Sequence, residues 1–153
     1  MEVENLLQSL NAHKVQYVII GATAFPVHGY SRITFDIDIF IRASQRNGEK
    51  TLNALSEAGY DICDLTVGEL LKKKILFRQY VLEADIHPHV TGTTFDSVWR
   101  KKKQARIGKT PAYFASLSDL IRMKKAAGRM KDKEDLKYLE KLKKKKKASN
   151  RNK

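Results

Sequence analysis

Cysteine is nearly absent: Cys63 stands alone among 153 residues. An intrachain disulfide and a cysteine-built zinc site are therefore excluded, and a cytoplasmic location is the default expectation. No apolar run approaches the ~18 residues needed to span a bilayer. Glu2 and Glu4 also occupy the region where a signal peptide would carry Lys or Arg. A soluble intracellular protein with no membrane partner is expected. Acidic residues are scarce as well: 17 Asp and Glu stand against 30 Lys and Arg, a formal net charge of +13 with a pI of about 9.8. Such a field attracts nucleic acid, nucleotides or acidic surfaces, and it says nothing about fold.

What the chain does contain is material for one sizeable core, 42% of its residues being hydrophobic. A single domain over residues 1–142 is the simplest division. Beyond Leu142 the composition turns basic and low-complexity (K-K-K-K-K-A-S-N-R-N-K), which predicts a disordered tail over 143–153. The rest of the chain is organised around Arg32 to Ile41, R-I-T-F-D-I-D-I-F-I. Read as a strand, it places Ile33, Phe35, Ile37, Ile39 and Ile41 on one face and Arg32, Thr34, Asp36 and Asp38 on the other. The two carboxylates then lie ~6.6 Å apart along the strand, close enough to repel. A divalent cation between them removes that repulsion.

Ahead of this strand, Val3, Leu6, Leu7 and Leu10 at helical spacing predict an amphipathic helix over about 2–13. An apolar strand over 15–20 then runs directly into Gly21-Ala22-Thr23-Ala24, the start of a short helix shaped by Pro26. After it, Ser44 caps a helix over about 45–58 that Gly59 closes. A short helix over 67–74 precedes strands over 75–82 and 83–90. The second of these alternates Glu83, Asp85, His87 and His89 against Ala84, Ile86, Pro88 and Val90, giving a second polar face with a carboxylate in its middle. A short basic helix containing Trp99 follows. Residues 106–114 read as irregular or edge strand, Pro111 arguing against a central position. Ser116 or Ser118 caps a helix ending at Gly128, with Lys124 on its apolar stripe, and Asp132 caps the last helix. The pattern predicts an α/β (α+β) fold: a short mixed sheet, helices mainly on one face, and a small C-terminal helical portion.

Each chemical feature has a plain structural alternative. The turn Gly21-Ala22-Thr23 suits a phosphate, through unpaired N–H groups and the Thr23 hydroxyl, but strand-to-helix glycines also serve turn geometry alone. Asp36 and Asp38 suit a cation or a solvated face. Asp85 converges with them if its strand lies beside theirs, and otherwise marks a charged hairpin edge. His87 and His89 could be zinc ligands, although two His beside one Asp without matched partners elsewhere make zinc the poorer choice.

G-A-T-A, then T-F-D-I-D, then A-D-I-H-P, in that order, resembles the nucleotidyltransferase fold of the DNA polymerase β superfamily, and most of all its small bacterial AbiEii-like and uncharacterised groups. A segment similar to S-D-L-I-R-M-K-K-A-A-G-R-M-K-D-K-E-D-L follows the catalytic strands in those groups. The likeness spans about Leu6 to Leu142. It implies that Gly21, Ala22 and Thr23 hold the phosphates of a nucleoside triphosphate such as ATP, with Arg32 touching phosphate or pairing with the aspartates. It also implies that Asp36, Asp38 and Asp85 bind two Mg²⁺, Asp85 helping to deprotonate an acceptor hydroxyl. Lys124 resembles a lysine acting near the triphosphate in toxin-type relatives, with Asp132 or Asp135 as partner; its alternative is a stem that covers apolar surface while the amine reaches water. Ala22 departs from the family's Gly or Ser, which removes one hydroxyl contact.

The function expected is Mg²⁺-dependent transfer of a nucleoside monophosphate to a hydroxyl. The basic balance favours RNA as acceptor, in toxin-like relatives a tRNA end, and a toxin-like role would bring an antitoxin-like protein partner. Transfer to a small molecule of antibiotic type is the enzymatic alternative, because A-D-I-H-P also resembles lincosamide and aminoglycoside nucleotidyltransferases. A catalytically inactive nucleotide- or RNA-binding protein of the same fold is the third.

Overall fold

The computed structural model describes residues 2–34, 36–78 and 83–151. Its strands are β1 (Tyr17–Ile20), β2 (Asp36–Ile41), β3 (Ile75–Phe77), β4 (Glu83–His87), β5 (Lys103–Ile107) and β6 (Thr110–Phe114). They form one open mixed sheet in the order β3-β4-β2-β1-β6-β5. All four residues of β1 are buried, as expected of an interior strand that is packed on both of its faces. In β2, Ile37, Ile39 and Ile41 are fully buried, so the period-two alternation places its apolar face in the core. Phe40 shares the opposite face with Asp36 and Asp38. It is capped there by Phe95 of α4 (Phe95–Arg100), ring to ring at 5.3 Å.

The helices form where their apolar spacing and caps predict. Leu6, Leu7 and Leu10 bury one side of α1 (Glu2–Ala12). In α2 (Gln45–Glu57), Ser44 accepts from the Asn47 N–H, and Leu52 and Leu55 face inward. The two helices pack on each other, Ser9 Oγ donating to the Ala54 carbonyl at 2.6 Å. Thr66 and Glu69 form a capping box on α3 (Val67–Lys72). Ser116, not Ser118, caps α5 (Leu117–Ala127), and Gly128 closes it in the left-handed conformation.

Five segments differ from the sequence expectation. The D-x-D strand begins at Asp36, not Arg32; residues 31–34 are irregular, Ile33 is 82% exposed, and Phe35 lies outside the described residues. The ladder with β1 bears on this, because β1 ends at Ile20 opposite Asp38. Among the described residues no strand pairs with the chain ahead of Asp36. The expected strand over 75–82 is short, its residues 79–82 lying outside the described set, and the next ends at His87, before Pro88. Residues 103–114 form a hairpin in which β5 is the edge and β6 is interior. Pro111 is tolerated because it pairs only with Arg106 of β5, while β6 meets β1 at its other end through Ile19 and Phe114. Finally, α6 (Met130–Arg151) continues past Leu142 as far as Arg151, where the sequence predicts a disordered tail. Lys and Ala are strong helix formers, so a helix nucleated at Met130 propagates even though residues 144–151 are exposed. Among the described residues no helix is long and apolar enough to cross a membrane.

Candidate active site

Parallel pairing of β2 with β4 sets Asp38 opposite Asp85, Asp36 opposite Glu83 and Phe40 opposite His87. Paired strands lie ~4.8 Å apart, closer than two residues along one strand. The near neighbour of Asp38 is therefore Asp85 and not Asp36. One ligand atom from each of Asp38, Asp85 and His87 lies within 4.8 Å of the others. Asp36 is not in that group, though it lines the same cleft as Asp38 and Asp85. Its Oδ1 instead accepts from Thr34 Oγ1 at 3.0 Å, at the margin of the same cleft.

Each carboxylate of the inner pair has a donor. His87 Nε2 stands 2.8 Å from Asp38 Oδ1, and Arg78 Nη1 stands 2.5 Å from Asp85 Oδ1. Hydrogen bonding to Asp85 keeps the Arg78 guanidinium firmly protonated against its own desolvation. Two carboxylates and an imidazole aimed at a common point fit a divalent cation, the oxygens being the hard ligands that Mg²⁺ takes.

The end of β1 carries the backbone turn. Gly21 has φ +69°, and a Cβ there would stand 2.6 Å from Asp38 Oδ2, so the position requires glycine for both backbone and space. Ala22 is not among the positive-φ residues, so alanine sits there without left-handed strain. From Gly21 a 3₁₀ helix runs to His28, and its leading N–H groups, which lack partners within the helix, start beside Asp38. Thr23, read as a phosphate donor, gives its proton to the Asp36 carbonyl at 3.1 Å and so secures the start of β2. Gly21→Ala is expected to lower stability by about 1–3 kcal/mol through left-handed strain and to displace Asp38. A thermal midpoint equal to the wild type would show that the turn relaxes around the methyl group.

The facing wall is basic and comes from the α5–α6 corner. Lys124 Nζ pairs with Asp132 Oδ1 at 3.0 Å and Asp135 Oδ2 at 3.3 Å. Arg129 closes on Asp132 through Nε at 2.7 Å. Arg32 grips Asp135 through Nε at 2.9 Å and Nη2 at 3.0 Å, with Tyr30 donating to the same carboxylate. Burial alone would raise the Asp132 carboxyl, but hydrogen bonds from Arg129 and Lys124 overcome it and hold the group well below the usual carboxylate range. Arg32 therefore serves the α6 carboxylates and not the D-x-D pair. Lys124 is a half-buried ion-pair partner, and Asp132 sits inside the first turn of α6 while accepting the Arg129 backbone N–H.

Between the acidic sheet and the basic corner lies a cleft of 740 Å³, lined among others by Gly21, Asp36, Asp38, Asp85, Lys124 and Arg129. It continues into a 330 Å³ recess walled by Ile20, Val90, Leu120 and Met123. One side thus attracts cations, the other anions, with apolar room at one end. Sequence reasoning missed Arg78, Arg129 and Lys74 in this lining. Arg129 lies in the segment quoted above for its resemblance, without a role of its own, whereas the local sequence around Arg78 and Lys74 carries no signal for the cleft.

Residues 1–144 match a family described as nucleotidyltransferase of unknown function (DUF6036). The lincomycin-bound lincosamide antibiotic adenylyltransferase LnuA is similar in structure, with a TM-score of 0.62 and 16% identity over 92% of this chain and 96% of that one. TM1012 of Thermotoga maritima, a proposed nucleotidyltransferase, is similar at a TM-score of 0.61 and 17% identity, covering 91% of each chain. At these identities the likeness is one of fold. A search among curated proteins returns no match.

Proposed function

Because this chain belongs to the nucleotidyltransferase family DUF6036, we propose that it moves a nucleoside monophosphate from a nucleoside triphosphate to an acceptor hydroxyl in the presence of Mg²⁺. One observation carries this assignment: the in-register Asp38 and Asp85 face the Lys124–Arg129 wall across a cleft that begins at the Gly21 turn. A cation held by Asp38 and Asp85, with His87 and Asp36 near, would supply charge neutralisation for the triphosphate and acidify the acceptor hydroxyl. The Gly21 and Ala22 backbone binds phosphate oxygens. Lys124 and Arg129 orient the anionic tail from the opposite wall, and the recess beside Leu120 receives the nucleoside. The acceptor oxygen bonds to the α-phosphorus as the bond to pyrophosphate breaks, and the Asp85 carboxylate accepts the hydroxyl proton. Little else is required, since placement and charge dominate such transfers. Label from each α-phosphate-labelled triphosphate, followed into RNA, protein and small-molecule fractions, tests this. Absence of label in every fraction, from folded protein, would instead leave a nucleotide- or RNA-binding protein without catalysis.

RNA is the proposed acceptor. The net charge of +13 and the second half of α6, which carries no acidic residue after Glu140, support a polyanion. For a single strand with about five contacted phosphates, the log-log slope of affinity against salt is expected near −3.5. Anisotropy titrations of a labelled RNA at several NaCl concentrations measure it, and a flat profile counts against RNA. The small-molecule alternative is favoured by the fold shared with LnuA, itself described as an antibiotic adenylyltransferase. Label confined to the small-molecule fraction would select it.

A further inference from the structure

Arg78 makes this acidic centre unlike an open cation site. Its Nη1 lies 2.5 Å from Asp85 Oδ1 and its Nε 3.2 Å from Glu83 Oε2, so the guanidinium bridges two residues of β4. The Asp85 side chain is 7% exposed, and a carboxylate so enclosed needs a counter-charge. Among the described residues Arg78 is the cation that supplies it. The two partners differ in freedom: Asp85 is fixed within a central ladder, whereas the Arg78 side chain is 40% exposed and lines the cleft. Glu83, equally exposed, holds Nε and would retain the guanidinium if Nη1 let go of Asp85.

We propose that Arg78 is a resident counter-cation of the metal site, occupying the Asp85 carboxylate until a triphosphate enters and then turning to the phosphates. This rests on the cation assignment made above. A divalent ion arriving alone must displace Arg78 and meet its charge at short range. An ion arriving with a triphosphate does not, because the guanidinium exchanges a carboxylate for a phosphate oxygen of matching geometry. Cation and triphosphate therefore bind with positive coupling, each raising the affinity of the other by the same factor. Glu83, outside the group formed by Asp38, Asp85 and His87, acts as the pivot and not as a ligand.

The probe is Mn²⁺ alone, without nucleotide, titrated by electron paramagnetic resonance against wild type, Arg78→Gln, Arg78→Lys and Asp38→Asn, with circular dichroism for fold. Arg78→Gln is expected to bind Mn²⁺ roughly tenfold tighter than wild type or more, and to gain more thermal stability from it. Arg78→Lys, which keeps the charge, stays near wild type. Should Arg78→Gln fold only when Mn²⁺ is present, that rescue is the same result read through stability. Equal or weaker Mn²⁺ affinity in Arg78→Gln, with binding still lost in Asp38→Asn, overturns the role of Arg78 alone. Absence of binding in wild type and Arg78→Gln alike, or binding that survives Asp38→Asn, overturns the cation assignment and this inference with it.

Discussion

Asp38→Asn is expected to lower nucleotidyl transfer by on the order of 10³-fold or more while leaving the fold intact. The substitution keeps the shape, and the side chain is partly exposed at the cleft, so no buried contact is lost. What disappears is the charge shared with Asp85 across the β2–β4 ladder, on which cation binding depends. Asp36→Asn should cost less, roughly 10–100-fold, because Asp36 is outside the cluster of ligand atoms and acts beside it. Release of pyrophosphate and transfer of α-label, measured for both variants, separate the two. Full transfer by Asp38→Asn would end the transferase assignment. Equal losses in both variants would mean that the aspartates of β2 act as a pair along the strand, against the cross-strand geometry.

The second large effect is on stability. Lys124 is 13% exposed and stands between Asp132 and Asp135, whose side chains are 2% and 5% exposed. Lys124→Met keeps the stem over the apolar surface and removes the charge, leaving two enclosed carboxylates to share Arg129, Arg32 and Tyr30. A loss of about 3 kcal/mol is expected at neutral pH, read from urea denaturation. The pH dependence follows from Asp132, whose carboxyl is held below its unfolded value by Arg129 and Lys124 in spite of burial. The unfolded chain then binds more protons at acid pH, so this stabilisation is complete above about pH 5 and fades as pH falls through the unfolded and then the folded value. Lys124→Met should flatten that acid limb. Wild-type stability at pH 7 together with an unchanged acid limb would show that the amine is merely solvated.

Helix starts were legible because caps and apolar spacing act within one or two turns, as at Ser44 and Ser116. The faces of β2 and β4 were legible for the same kind of reason, since alternation assigns Asp38 and Asp85 to polar sides wherever the strands lie. Their neighbourhood was not. Nothing local distinguishes a ladder that aligns Asp38 with Asp85 from one shifted by two residues, which would present the same face. Hence the residues alone do not say which aspartate faces Asp85 across the ladder, and they carry no sign of Arg78 beside it. The extent of β2 differs for a related reason: Ile33 continues the apolar alternation, but the chain there pairs with no strand among the described residues, and Arg32 is drawn to Asp135.

Residue order alone determined the apolar stripes, the helix caps, the glycine that turns β1 into a helix, and the basic balance, because each depends on neighbours within a few positions or on composition. Only the tertiary structure decided which carboxylates meet, which cations oppose them and where Thr23, Arg32 and Lys124 deliver their hydrogen bonds. Those partners lie up to 103 residues apart in the chain, as Arg32 and Asp135 do, and they are selected by strand register and by the closing of the α5–α6 corner over the sheet.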